Sequence, residues 1–173
     1  MSAKNENLNM FIENIASEFR KYYVREDEPI EDMRAAAEFY GCEVEDVPEL
    51  SPKSFGHCTR NSDKSFLIQL PEAVPAEQKS YLIAVNLGRI FLYMNYFPVP
   101  VPDALKSISP LFALKQCQHF ALAFLMPKNL YETVLLNFAD ENRANVMEMA
   151  AFFQLEEEAV ITRGIGLKIL KGE

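Results

Sequence analysis

The sequence predicts an α+β fold, a helical core beside a small antiparallel sheet, with further helices at the C-terminus. Three observations point there. Apolar residues recur at helical spacing near both ends of the chain. Two short runs, residues 55–60 and 65–70, flank the turn sequence Asn61-Ser62-Asp63-Lys64, as in a hairpin. No internal repeat, low-complexity tract or linker interrupts the 173 residues, so 1–173 read as one domain with 142–170 as a terminal helix pair.

Taken in order, Leu8, Phe11, Ile12, Ile15, Phe19 and Tyr22 predict an amphipathic helix from about residue 7 to 24. Pro29 suits the first turn of a second helix that buries Met33, Ala36, Ala37 and Tyr40 and ends at Gly41. Residues 42–47 read as a strand closed by Pro48, and the hairpin follows. Pro75 stands near the start of a strongly apolar helix. Pro98, Pro100, Pro102 and Pro110 hold the next segment extended or turned. Helices are then expected over about 112–126, 128–138, 142–153 and 156–169, the last weakened by Gly164 and Gly166.

Apolar residues make up 49% of the chain and charged residues 24%, the balance of a soluble globular protein. With 25 acidic against 17 basic side chains the net charge is -8, which argues against nonspecific binding to nucleic acid or an anionic membrane. Cys42, Cys58 and Cys117 are widely spaced with no Cys-x-x-Cys pair, which fits a reduced, cytoplasmic setting. The polar start is unlike a signal peptide. The longest apolar stretch, Tyr81 to Phe97, is broken by Asn86, Arg89 and Asn95, which disfavours a membrane span.

The segment from Gln78 to Tyr93 resembles the active helix of the ImmA/IrrE metallopeptidase family, which reads Ala-His-Glu-Leu-Gly-His before an apolar run. Ala84, Leu87 and Gly88 stand in register, but Val85 and Arg89 replace the histidines and Asn86 replaces the glutamate. Phe120 to Pro127 is similar to a second family block, Phe-Ala-Ala-x-Leu-Leu-Met-Pro. Met149 to Val160 looks like its closing helices, and Gly41-Cys42-Glu43-Val44 with the hairpin also fits. The likeness covers most of residues 28 to 170 and implies a zincin-like core. Such a site needs two His four residues apart, a Glu to activate water and a third ligand. In the family that ligand is acidic and lies just before the Phe block, where this chain has Leu114, Lys115 and Gln116. No catalytic residue, metal ligand or cofactor is therefore expected.

Four residues remain as a vestigial pocket: Val85, Asn86, Arg89 and Tyr93. At ~100° per residue, Val85 and Arg89 lie about 40° apart, and Asn86, Arg89 and Tyr93 fall within roughly 60°. Burying an unpaired guanidinium costs several kcal/mol, so Arg89 must meet water, carbonyls or a carboxylate. Its charge either holds an acidic group of a ligand or partner, or closes an internal salt bridge.

His57, Cys58, Cys117 and His119 are the remaining soft ligands. Strand neighbours point to opposite faces and helix residues two apart sit ~200° apart, so at most one of each pair turns inward. That leaves two ligands where a closed zinc site takes four, with buried cysteines and surface histidines as the expectation. The terminal helix pair resembles a DNA-reading helix-turn-helix, but Glu156, Glu157 and Glu158 stand where phosphate contacts need cations. Glu156 is also a weak N-cap.

The resemblance thus implies a non-catalytic, metallopeptidase-like protein acting by protein binding or regulation. Its implied partner is a helix-turn-helix repressor of a mobile element, with no membrane and no direct nucleic-acid partner. The alternatives are a peptidase or other hydrolase with unorthodox site residues, or an oligomer subunit contacting through residues 112–126.

Overall fold

The computed structural model describes residues 3–94, 96, 110–140 and 143–171. The first helix, α1 (Ala3–Tyr23), buries Leu8, Ile12, Ala16 and Phe19 along one stripe. It begins earlier than the apolar pattern does. Arg20 continues the stripe as a buried cation, bonding the Phe124 carbonyl at 3.1 Å and the Glu28 carbonyl, and burial lowers its pKa to about 10. The second helix, α2 (Met33–Phe39), starts after Pro29, contrary to expectation. Asp32 caps it, its carboxylate accepting from the Arg34 and Ala35 amides at 2.9 and 3.0 Å. Gly41 follows at φ +74° and turns the chain into β1 (Cys42–Val47).

The hairpin forms as predicted, with β2 (His57–Arg60) antiparallel to β3 (Phe66–Pro71). The sheet is nonetheless mixed and not antiparallel, because β1 pairs with β3 in parallel, Cys42 opposite Phe66 and Val47 opposite Pro71. The order is β1-β3-β2. The central strand turns Phe66, Ile68 and Leu70 into the core, the period-2 pattern of a sheet with one covered face.

Next comes α3 (Ala76–Tyr93), buried almost all round from Leu82 to Leu92. It packs mainly on α4 (Pro110–Leu125), which lies in turn against α1. Gly88 sets that approach. A Cβ there would stand 3.0 Å from Phe120 Cδ1 and 3.2 Å from Cys117 Cα. Stacked Phe19 and Phe91, 3.9 Å between ring centroids, fill the space between α1 and α3.

Pro127 stops α4 and opens α5 (Lys128–Phe138). Two-residue strands, β4 (Ala139–Asp140) and β5 (Arg143–Ala144), then pair ahead of α6 (Val146–Phe153). That helix begins later than expected because Asn145 caps it. Finally α7 (Glu157–Gly166) runs through Gly164 but stops short of 169, and Glu156 makes no side-chain cap bond. The proline-rich stretch from Pro98 falls outside the described residues up to Pro110, which opens α4. The chain is therefore α+β, and among the described residues no helix is long and apolar enough to cross a membrane.

Candidate functional site

The polar stripe of α3 faces the loop that leads into the β2-β3 hairpin. Val85 is completely buried. Asn86 is equally buried, and its amide nitrogen donates to the Phe55 carbonyl at 2.8 Å and to Leu82 O, one turn back, at 2.9 Å. Arg89 is half-buried. Its Nη1 donates to the Gly56 carbonyl and to Asn86 Oδ1, both at 2.8 Å. Asn86 and Arg89 thus hold each other and clamp the backbone at Phe55 and Gly56 onto the helix.

Gly56 is essential to that clamp. Its φ is +74°, and a Cβ would fall 2.6 Å from the Gln69 carbonyl and 3.1 Å from Asn86 Nδ2. The backbone comes this close to α3 only because no side chain intervenes. Arg89 therefore meets carbonyls, and no carboxylate pairs with it among the described ion pairs.

Tyr93 lies two turns beyond Asn86. Its hydroxyl is buried and finds no hydrogen-bond partner among the described residues. Burial, then the nearby Cys117, pushes its pKa up. The stripe thus comes together at Asn86 and Arg89, with Val85 as apolar filling and Tyr93 unsatisfied.

The soft residues divide as strand and helix geometry requires. His57 is exposed while Cys58 turns inward, its Sγ 3.5 Å from Met94 Sδ. Cys117 is buried and His119 half-buried, so His119 is not the surface residue expected. Burial raises the pKa of both thiols, Cys117 to about 12, and Arg89 beside them partly opposes this.

A cleft of about 490 Å³ lies between α3, α4 and α7, bordered by Tyr81, Leu82, Lys115, His119, Thr162 and Arg163. None of the four stripe residues lines it. At its inner wall is a cluster that sequence reasoning missed. Arg163, 2% exposed, bonds Glu13 through both Nη atoms and the Met126 carbonyl through Nε at 2.8 Å. His119 Nε2 stands 3.1 Å from the same Glu13 carboxylate. No local pattern announces a cluster drawn from α1, α4 and α7.

Comparison with protein-family models and with curated proteins finds no match.

Proposed function

We propose that this chain is a non-catalytic relative of the ImmA/IrrE metallopeptidases that works by binding a protein partner, of the helix-turn-helix repressor class, in the cytoplasm. The observation that supports this reading is the Asn86–Arg89 clamp. At the positions where the family motif places a base and a ligand, both side chains are committed to the Phe55, Gly56 and Leu82 carbonyls. Asparagine cannot take the proton that a metallopeptidase base removes from water. Valine offers no lone pair to a metal, and a guanidinium remains a cation. The remaining route to function is a surface held in shape for a partner.

Calorimetry of the purified chain against helix-turn-helix repressors from its host tests this, with gel analysis of each mixture afterwards. The expected result is a saturable complex from which the repressor is recovered at full length. A repressor cut into fragments, or no complex with any of them, contradicts the proposal.

A further inference from the structure

A second cleft, of about 740 Å³, opens between α1, the junction of α4 with α5, and the turn that ends α7. In a chain of net charge -8 its lining is cationic, with Arg20, Lys21, Lys128 and Lys168 against Glu13 and Glu26. Both acids are already paired, Glu13 with Arg163 and Glu26 with Lys21 at 3.6 Å. Lys168 has no ion-pair partner among the described residues, and Lys128 reaches only Glu132, at 3.8 Å. The cleft therefore holds positive charge in excess.

Two further features point to an anion. The N-terminus of α5 borders the cleft at Pro127, Lys128 and Asn129. Pro127 supplies no side-chain cap bond and no acid stands in the first turn, so the positive end of this helix is uncompensated. Independently, Arg20 lines the same cleft while only 2% exposed. Its Nη atoms donate to the Phe124 and Glu28 carbonyls, but its Nε meets no acceptor and no carboxylate pairs with it among the described residues. A buried guanidinium held only by backbone carbonyls keeps its full charge, and the adjoining cleft is where an anion can offset it.

We infer that this cleft binds the phosphate group of a small phosphorylated polyol, of the sugar-phosphate class. Helix N-terminal amides and lysine ammonium groups are the usual partners of phosphate oxygens. Asn9, Asn14 and Ser17 of α1 add neutral donors and acceptors that suit hydroxyl groups. No phenylalanine or tyrosine lines the cleft among the described residues, so a nucleobase has no broad ring on which to stack. The volume is that of a small-molecule site. This inference stands apart from the proposed partner binding, since the cleft and the α3 stripe share no residue.

The test is calorimetric titration of the full chain with glucose 6-phosphate, inorganic phosphate and glucose. Glucose 6-phosphate should bind saturably at one site, and glucose should not bind. Inorganic phosphate carries the shared chemistry: weaker binding than the ester supports the polyol, and equal binding overturns the polyol in favour of free phosphate. Asn129→Asp places an exposed carboxylate in the first turn of α5, where it suits the helix and preserves the fold but repels the ligand. It should weaken binding by about tenfold or more, as should Lys168→Gln, whereas Lys115→Gln on the other cleft should change nothing. Thermal melts establish that each variant is folded. No saturable binding of glucose 6-phosphate, or undiminished affinity in folded Asn129→Asp, overturns the inference whatever the outcome with repressors.

Discussion

Glu13 on α1 and Arg163 on α7 meet in a two-point ion pair, 2.5 and 2.8 Å between paired atoms, across 150 residues of chain. The guanidinium is almost fully removed from water, whereas the carboxylate keeps 30% of its side chain exposed. Glu13→Ala would therefore leave a buried cation without its counter-charge. Breaking a buried pair this way costs about 3–5 kcal/mol, and the partial exposure of Glu13 puts this case near 3. Chemical denaturation of the variant measures it directly.

The same pair dictates an acid sensitivity. Burial alone would raise the Glu13 pKa, but bonds from Arg163 and His119 and their charges overcome it and hold the carboxyl at about 2. The folded value is thus below the unfolded one, and the pair stabilises the protein above the unfolded pKa. That stability is lost as pH falls from the ordinary glutamate range towards 2. Stability measured across this window should fall for the wild type and fall less steeply for Glu13→Gln.

Gly56→Ala should disturb the α3 stripe from the opposing loop, its Cβ pressing on Asn86 Nδ2 at 3.1 Å. Left-handed backbone disfavours alanine by about 1–2 kcal/mol, and the contact with the Gln69 carbonyl adds an overpacking cost of about 1–3 kcal/mol. A loss of roughly 2–4 kcal/mol in denaturation is expected. The Gly56 carbonyl should also move off Arg89, making the guanidinium more mobile by side-chain NMR.

Much of the fold was legible where patterns are local. The short runs at 55–60 and 65–70 about the turn at Asn61 marked β2 and β3, and helical spacing marked α1. What escaped were relations between distant segments. The parallel pairing of β1 with β3 leaves no trace in either strand taken alone. Pro29 suggested a helix start, but Asp32 offered a side-chain cap that proline cannot. Of the site, Asn86 and Arg89 stood out as polar residues on an apolar helix. Their acceptors, the carbonyls of Phe55 and Gly56, are backbone atoms that no side-chain pattern reveals.

Installing the ImmA/IrrE motif by Val85→His, Asn86→Glu and Arg89→His should not produce an efficient peptidase. The change removes the donors that Asn86 and Arg89 supply to the Phe55 and Gly56 carbonyls, at a cost of about 1–3 kcal/mol. It also supplies only two ligands. Of the three positions where the family carries its acid, Gln116 is buried with its Oε1 unpartnered among the described residues. Adding Gln116→Glu should raise zinc affinity markedly over the triple variant in a competition titration, because a third ligand completes an open catalytic site.

The most direct measurement is the zinc content of the wild-type chain, purified without chelator and analysed by elemental mass spectrometry. Val85, Asn86 and Arg89 provide neither ligand nor base, so far less than one zinc per chain is predicted, with a melting temperature that EDTA leaves unchanged. About one zinc per chain, lost to EDTA together with stability, would contradict the account and return the α3 stripe to metal chemistry.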